Sequence, residues 1–362
     1  MFTTVIFLLV LAILIFVHEL GHFLVARWCG IRVDAFALGF GPKLFSKKVG
    51  ETTYSLNLIP FGGYVKIFGE NPDDENTNGP DKHRSFVHKP KWQQISVLLA
   101  GIFFNFIFAW LLIIIAFISG VPSSVESYPQ YRDNMKDTHI AITFVNTGSP
   151  ADKAGLKAGD TILANSLEEI QKNINDSKES GVDIKYTRDG IESSVKVIAE
   201  KGIVEDKYAI GIAMDHVAIL QLPIHKAIWE ASRFSVHIIG ATFTGLYELV
   251  KGIFVGGEDS KSALASVTGP IGIASLVGDA AKLGFTYLIM FTALISINLG
   301  VLNLVPFPAL DGGRVFFALI EIAIRRPIKP AIANYANAIG FFLLITLMVV
   351  VTYKDILREF VK

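Results

Sequence analysis

The first hydrophobic segment of this chain combines the length of a membrane span with three ionisable side chains. Residues 4–26 are predominantly apolar, and Val5–Phe16 contains no charged residue, glycine or proline. An α-helix needs about 20 apolar residues to cross the hydrocarbon core of a bilayer. We therefore expect residues 4–26 to span a membrane. Ionisable side chains in such a span are energetically costly, and they indicate function.

The ionisable residues of this segment are His18, Glu19 and His22, which form the pattern H-E-x-x-H. On a helix, residues four apart lie on one face, so both imidazoles can bind one metal ion. The carboxylate of Glu19 lies beside them and can act as the base for a water molecule that a zinc ion activates. The pattern thus predicts a hydrolytic zinc site inside the membrane.

The composition indicates several membrane spans together with a part of the chain that lies outside the membrane. Of the 362 residues, 51% are hydrophobic and only 18% are charged, which is too apolar for an ordinary soluble protein. The formal net charge is zero, so no nucleic-acid partner is indicated. A single cysteine, Cys29, excludes an intrachain disulfide. No basic region precedes the first span and no small-residue cleavage site follows it, so we expect it to be retained.

Four segments are long and apolar enough to cross a membrane, namely 4–26, 95–118, 285–305 and 335–353. The predicted fold class is a polytopic α-helical membrane protein with four transmembrane helices, a membrane-associated β-hairpin and an inserted α+β domain. We expect four regions in this order: an N-terminal membrane region at 1–118 with a hairpin loop at 27–92, the α+β domain at 119–205, amphipathic helices at 206–284, and a C-terminal membrane region at 285–362.

The distribution of basic residues predicts the orientation. Lysine and arginine are frequent in 27–92 and 314–330, and the positive-inside rule places both segments in the cytoplasm. The segment 119–284 then faces outward. Residues 234–255 are apolar enough to resemble a further span, but charged residues interrupt them, and we expect an amphipathic helix at the outer surface. A fifth span would carry Asp311 away from the two histidines.

A catalytic zinc site normally has three protein ligands, and Asp311 is the best candidate for the third. Gly312 and Gly313 follow it and permit a sharp turn. Pro306 and Pro308 break the third span just before it. Few other carboxylates compete, since no other Asp or Glu apart from Glu19 is embedded in a predicted span. The alternative is that Asp311 is a structural residue at a helix end.

Two further features indicate contacts with a peptide substrate. Asn105, Asn298 and Asn303 place amides inside apolar spans, where they can hold an extended backbone or form hydrogen bonds between helices. Residues 52–68 predict two short strands around a turn that contains Gly62 and Gly63. Such a hairpin can offer a strand edge to an extended peptide, or it is an ordinary surface hairpin.

Five motifs stand out along the chain, namely His18–His22, Gly39–Pro42, Pro60–Tyr64, Thr268–Ile273 and Asn303–Gly313. Together they resemble the site-2 protease family, most closely its bacterial RseP-like branch. The likeness extends over nearly the whole chain. Separately, residues 149–163 are similar to the Gly-Leu-x-x-Gly-Asp segment of PDZ domains.

This resemblance implies an intramembrane zinc endopeptidase that cleaves single-span membrane proteins, often as the second cut of a cascade on anti-sigma factors or remnant signal peptides. It implies a bacterial inner membrane, a site toward the cytoplasm and a periplasmic PDZ-like domain that binds peptide or protein termini. Asn303, Pro306 and Pro308 match positions implicated in substrate handling, and the hairpin at 52–68 matches a membrane-reentrant element. One PDZ-like domain is found here, whereas well-known relatives carry two in tandem.

Two other functions compete with this interpretation. One is a catalytically inactive, PDZ-bearing membrane scaffold or quality-control receptor, which predicts that a single-span reporter is not cleaved in a chelator-sensitive manner. The other is a metal-ion transporter, which predicts metal flux. The presence of two histidines, a base and a candidate carboxylate ligand favours the enzyme.

Overall fold

The computed structural model describes residues 2–71, 74–177, 180–188, 190–204, 207–255 and 268–360. The chain forms two compact units, Met1–Ala116 with Ala227–Lys362, and Phe117–Lys226. We call them the membrane unit and the α+β unit. In the described residues the α-helices are α1 (Phe2–Trp28), α2 (Asp74–Asn78), α3 (Lys91–Ser119), α4 (Pro150–Lys153), α5 (Leu167–Ser177), α6 (Ile224–Val255), α7 (Pro270–Leu283), α8 (Phe285–Leu304), α9 (Asp311–Ile324) and α10 (Pro330–Phe360).

The four predicted spans lie in four long helices. Among the described residues, α1, α3, α8 and α10 are long and apolar enough to cross a membrane. Each helix begins at or before its predicted span, and all but α8 also end beyond it. The fold is thus that of a membrane protein with four candidate spans and added β-structure.

A long β-hairpin follows α1 in the membrane unit. Its strands are β1 (Val33–Val49) and β2 (Thr52–Ile67), which run antiparallel. The beginning of β1 lies between two stretches of β2, since Phe36 pairs with both Tyr54 and Val65. Consequently the segment Gly63–Ile67 has a pairing partner on one side only within the described residues. We call this segment the edge strand.

The edge strand is held beside α1 by an apolar cluster. Phe23 of α1 packs against Phe36 of β1 with ring centroids 5.4 Å apart, and Phe36 also contacts Phe16 at 5.8 Å. Val65 and Ile67 of the edge strand belong to the same buried cluster. The hairpin expected within 52–68 differs from the one observed, because the two stretches of β2 pair with β1 on its two sides and the hairpin is formed by β1 and β2. This β1–β2 hairpin is packed on the helix that carries the H-E-x-x-H pattern.

The α+β unit contains a six-stranded sheet with the order β3-β10-β4-β5-β6-β7. The strands of this unit are β3 (Val121–Ser124), β4 (Met135–Val145), β5 (Thr161–Ile162), β6 (Val182–Arg188), β7 (Ile191–Val197), β8 (Glu200–Val204), β9 (Lys207–Ala209) and β10 (Ile212–Leu220). Helix α5 packs on the sheet through Ile170 and Ile174, which are buried in the core of the unit.

The end of this unit differs from the expected boundary at 205. The unit extends to Lys226, because β10 fills an interior place in the sheet between β3 and β4. Ala218 and Leu220 of β10 have no exposed surface. Residues 207–220 are thus strands and their connections, where amphipathic helices were expected from 206 onward. Two helices, α6 and α7, do follow before 284, while residues 256–267 lie outside the described residues.

The segment 234–255 belongs to α6, which begins ten residues earlier at Ile224. It is not among the candidate spans of the described residues. Two side-chain hydrogen bonds join α6 to candidate spans. Trp110 of α3 donates through Nε1 to the Ser232 hydroxyl at 3.0 Å, and Thr242 donates to Oδ1 of Asn298 on α8 at 2.8 Å. The predicted helix is therefore present and is packed against spans.

Candidate active site

The two histidines and Asp311 come together at one point of the membrane unit. Nε2 of His18 lies 3.1 Å from Oδ2 of Asp311, and Nε2 of His22 lies 3.3 Å from the same atom. The two imidazole Nε2 atoms are 3.3 Å apart. Helix α1 supplies both histidines from adjacent turns of one face, and the first residue of α9 supplies the carboxylate.

This triangle of atoms fits a tetrahedral metal ion. Zinc bound about 2.0–2.1 Å from each nitrogen or oxygen ligand would separate tetrahedral ligands by about 3.3 Å. Oδ2 of Asp311 is buried and lies 3.1 Å and 3.3 Å from the two imidazole Nε2 atoms. A buried carboxylate oxygen that faces two imidazole nitrogens at these distances is the arrangement expected of a ligand set for a cation.

A tight turn carries the chain from α8 to Asp311. Helix α8 ends at Leu304, and α9 begins only seven residues later at Asp311. Ala309 has a φ of 76°, a left-handed conformation that side chains other than glycine rarely adopt. Its N–H donates to Oδ1 of Asn337 on α10 at 3.1 Å. At Gly312, a Cβ atom would collide with the carbonyls of Leu304 and Val305, so this position requires glycine.

The candidate ligand atoms open onto a cavity of about 590 Å³. Its wall includes Glu19, the whole edge strand Gly63–Ile67, and Ala309 of the turn before Asp311. Glu19 therefore faces the same space as the three candidate ligands and the strand with an open side. A cavity of this size can hold several residues of an extended peptide beside a general base.

One ion pair at the cavity wall was not anticipated from the sequence. Arg314, one helical turn after Asp311, is paired with Glu70, which follows the edge strand, and both residues line the cavity. The pair connects the segment that carries the candidate carboxylate ligand to the hairpin that carries the edge strand. No local pattern indicates this pair, because Glu70 and Arg314 are 244 residues apart in the chain.

Several of the residues predicted to contact substrate lie at the cavity or in the segments next to it. Gly63 lines the cavity, and Gly62 precedes it in β2. Pro306 and Pro308 lie in the turn between α8 and α9, where Ala309 reaches the cavity. Asn303 is half-buried on α8, one residue before the helix ends.

Asn298 and Asn105 are engaged within the protein. Asn298 accepts the hydrogen bond from Thr242 described above, and Asn105 has no exposed surface and lies against His18. For Asn105 the structure differs from the expected contact with substrate, because a side chain without exposed surface does not reach a peptide in the cavity.

Comparison with known proteins agrees with this geometry. The sequence profile described as Peptidase family M50 matches residues 6–347. The chain belongs to peptidase family M50. This is the site-2 protease family, whose members are membrane-embedded zinc metalloproteases. The resemblance noted from five motifs is thereby confirmed, and so are the enzyme class and the zinc cofactor.

Relatives of similar length support the assignment. A candidate zinc metalloprotease of Clostridium perfringens is 36% identical over 360 residues, which cover 97% of each chain. A candidate zinc metalloprotease of Clostridium acetobutylicum is 34% identical over 361 residues, covering 98% of this chain and 97% of the relative. The regulator of sigma-W protease RasP of Bacillus subtilis is 30% identical over 440 residues, covering 99% of each. The peptidase is thus similar to these proteins over its whole length.

Proposed function

We propose that this peptidase hydrolyses peptide bonds in or near the transmembrane segment of single-span membrane proteins. One observation carries the proposal. A single cavity is lined by the open strand edge, by Glu19 and by the three candidate ligands His18, His22 and Asp311. The two histidines belong to a helix that is long and apolar enough to span a membrane. The substrate class follows from this placement, since a site within a span is reached most directly by another segment in the bilayer.

In this proposal His18, His22 and Asp311 hold the zinc ion, and Glu19 is the general base. Bound zinc supplies Lewis acidity, which polarises the scissile carbonyl and makes a water molecule easier to deprotonate. Glu19 removes a proton from the attacking water and returns it to the amine of the leaving peptide. The carboxylate of Glu19 is suited to both transfers because it faces the cavity from the same helix turn as the histidines.

The edge strand offers a way to present the scissile bond. An extended peptide that pairs with Gly63–Ile67 would add a strand to the hairpin and lie along the cavity wall. A helical transmembrane segment hides its carbonyls in internal hydrogen bonds, so it must unwind before cleavage. The turn at Gly62, together with Asn303, Pro306 and Pro308 on the opposite segment, would contact the substrate at either end of the unwound stretch.

We further propose the bacterial inner membrane as the location, with the active site toward the cytoplasmic side. The basic segments 27–92 and 314–330 support this orientation. The Bacillus subtilis relative is named a regulator of sigma-W protease. By analogy, we propose that this peptidase makes the second cut in an anti-sigma factor or in a remnant signal peptide.

The α+β unit is proposed as a periplasmic, PDZ-like module for peptide or protein termini. Strand β3 pairs only with Val217–Leu220 of β10 among the described residues, so Ile212–Asp215 keep an open edge. This edge and helix α5 border a groove of about 580 Å³, lined by apolar side chains such as Ile174 and Met214. A terminal segment could pair with the edge while its side chains enter the groove.

The test is cleavage of a single-span reporter by the purified full-length protein in detergent or vesicles. Cleavage should stop on addition of a zinc chelator and return with added zinc. Glu19→Gln should lower the rate by about 100-fold or more, the usual contribution of a general acid–base group, while retaining bound zinc. Glu126→Gln, at an exposed position of the α+β unit, is the matched control.

Two outcomes would contradict the proposal. Unchanged cleavage by Glu19→Gln would refute its role as base. No chelator-sensitive cleavage of any single-span reporter by the wild-type protein would favour the inactive scaffold or receptor.

A further inference from the structure

The space around the candidate zinc ligands is completed by one face of helix α3. Val97, Gly101 and Asn105 are four residues apart, which places them on a common face. The backbone carbonyl of Val97 lies 2.8 Å from Nδ1 of His22, and the carboxamide of Asn105 lies 3.2 Å from Nδ1 of His18. Each imidazole therefore has one partner on α3 for the nitrogen that points away from Asp311.

Gly101 makes this close approach possible. A Cβ atom at this position would lie 2.7 Å from Cε1 and 2.9 Å from Nδ1 of His18, and would also collide with Nε2 of His22. Any larger residue would push the two rings away from α3. Helix α8 supports the face from behind, since Ser296 donates a hydrogen bond of 2.8 Å to the backbone carbonyl of Asn105.

The contact at His22 has a defined proton arrangement. The Val97 carbonyl is an acceptor only, so Nδ1 of His22 must donate to it and carries the proton. The lone pair of Nε2 is then free to face a metal ion. A histidine that donates its second nitrogen to a carbonyl or carboxylate in this way is held in the orientation and tautomer needed for binding.

His18 can bind a metal ion through Nε2 only if the proton of its neutral ring is on Nδ1, as in His22. If Nδ2 of Asn105 donated to Nδ1 of His18, the proton of the neutral ring would sit on Nε2 and occupy the ligand lone pair. Oδ1 of Asn105 is meanwhile buried without a hydrogen-bond partner, which is costly for a side chain with no exposed surface. A half-turn of the carboxamide, which exchanges two groups of similar shape, gives Oδ1 the Nδ1–H of His18 as its hydrogen-bond donor and leaves Nε2 of His18 without a proton.

We infer that Asn105 is a positioning residue for the metal site, whose carboxamide oxygen accepts the Nδ1–H of His18 and so keeps Nε2 available as a ligand. The inference deepens the proposed function, on which it rests, and it assigns Asn105 to the metal site rather than to the substrate. Its effect is exerted through His18 alone, because Asn105 does not reach the cavity.

The experiment measures zinc affinity of the full-length protein in detergent by competition with a chromogenic chelator, together with thermal unfolding with and without zinc. Asn105→Leu removes the acceptor at nearly constant volume, and Asn105→Asp retains an acceptor. Ser296→Ala is the matched control, because it removes a neighbouring buried hydroxyl whose hydrogen bond goes to the backbone carbonyl of Asn105 and not to the carboxamide. His18→Ala tests the ligand assignment on which the inference depends.

We expect Asn105→Leu to weaken zinc binding by about 10- to 100-fold, the range for groups that orient metal ligands. Asn105→Asp should remain within a few-fold of the wild type, and Ser296→Ala should be unchanged. In the presence of chelator, the unfolding temperature of each variant gives the baseline from which its stabilisation by zinc is measured. Zinc should raise the unfolding temperature of Asn105→Leu less than that of the wild type.

Zinc affinity of Asn105→Leu equal to that of the wild type would overturn the inference, and so would Asn105→Asp binding as weakly as Asn105→Leu. If the leucine variant does not fold, Asn105→Ala replaces it in the same comparison. Loss of zinc by His18→Ala with no effect of Asn105→Leu rejects this inference alone. Full zinc affinity of His18→Ala rejects the proposed ligand set, and this inference with it.

Discussion

The cavity beside the edge strand and the groove beside β10 have one feature in common, which is a β-strand with an unpaired side next to a helix. They are also of nearly equal volume, about 590 Å³ and 580 Å³. Their helices differ. Helix α1 presents two imidazoles and a carboxylate to its cavity, whereas α5 borders its groove with residues such as Lys172 and Ile174.

The two places share an unpaired strand edge, which is suited to pairing with an extended peptide, and they differ in the groups that the neighbouring helix places beside that edge. In the membrane unit the two imidazoles and the Asp311 carboxylate form a triangle of candidate ligand atoms with 3.1–3.3 Å sides. In the α+β unit the side chains that line the groove offer apolar contacts and scattered polar groups. We therefore expect substitutions in the two places to separate catalysis from binding.

The largest expected effect comes from Asp311, whose carboxylate completes the triangle with the two imidazoles in the membrane unit. Asp311→Asn replaces an anionic ligand with a neutral amide, so zinc affinity should fall by more than about 100-fold, beyond the loss typical of orienting groups. Cleavage of the reporter should disappear at ordinary zinc concentrations. Bound zinc is counted by atomic spectroscopy after gel filtration.

Asp279→Asn on α7 is the control for that substitution, since Asp279 is exposed and paired with Lys282 on the same helix. Zinc content of Asp311→Asn equal to the control would show that another residue is the third ligand. Peptide binding at the β10 groove should be the same in both variants.

A smaller effect is expected when substrate pairing with the edge strand is weakened. A proline placed in the reporter removes one N–H, and with it one backbone hydrogen bond worth about 0.5–1.5 kcal/mol. Cleavage should fall by about 2- to 10-fold for each sensitive position. Because successive N–H groups of a strand point to opposite sides, sensitivity should recur at every second position near the scissile bond.

The measurement is the cleavage rate of a series of reporters with proline at successive positions near the scissile bond. The spacing of the sensitive positions then shows whether the substrate pairs as a strand. Reporters with alanine at the same positions serve as controls for the change of side chain. A repeat of three or four positions, as for a helical substrate, would argue against strand pairing at Gly63–Ile67.

The smallest effect on cleavage is expected at the β10 groove. Met214→Arg places a charge where a half-buried apolar side chain lines the groove, and affinity for a fluorescent peptide with an apolar free carboxy terminus should fall by about 10-fold. Cleavage of a short reporter that lacks such a terminus should change by less than about 2-fold, an order-of-magnitude expectation for a site without catalytic groups.

Ile191→Arg is the control, because Ile191 is exposed on β7 and does not line the groove. Peptide affinity measured by fluorescence anisotropy should be unaffected by it. Equal affinities for Met214→Arg and Ile191→Arg would exclude this groove as the place where the peptide binds.

Much of the membrane unit could be predicted from the sequence because hydrocarbon restricts what a chain can do. A run of about 20 apolar residues has few alternatives to a helix there, and all four predicted spans are helical. Ionisable residues are so rare in these spans that His18, Glu19 and His22 were conspicuous. Asp311 could be singled out because few carboxylates lie in or next to the predicted spans and because two glycines follow it.

The α+β unit was less predictable, since short strands carry weak signals and their partners are distant in sequence. Strand β10 was assigned to a helical region after 205, although it pairs with β4, which lies far earlier in the chain. Only the sheet reveals that Ala218 and Leu220 are interior residues. The open edge at Ile212–Asp215 likewise depends on where β3 stops pairing.

The sequence by itself determined the spans, the H-E-x-x-H helix and a short set of candidate ligands, because these follow from local composition and helical periodicity. The tertiary structure alone decided that Asp311 meets both histidines, that Gly63–Ile67 has an open side, and that Asn105 lies against His18. These relations depend on how α1, α3, β2 and α9 pack together. Packing is a property of distances between segments far apart in the chain, which no local pattern of residues records.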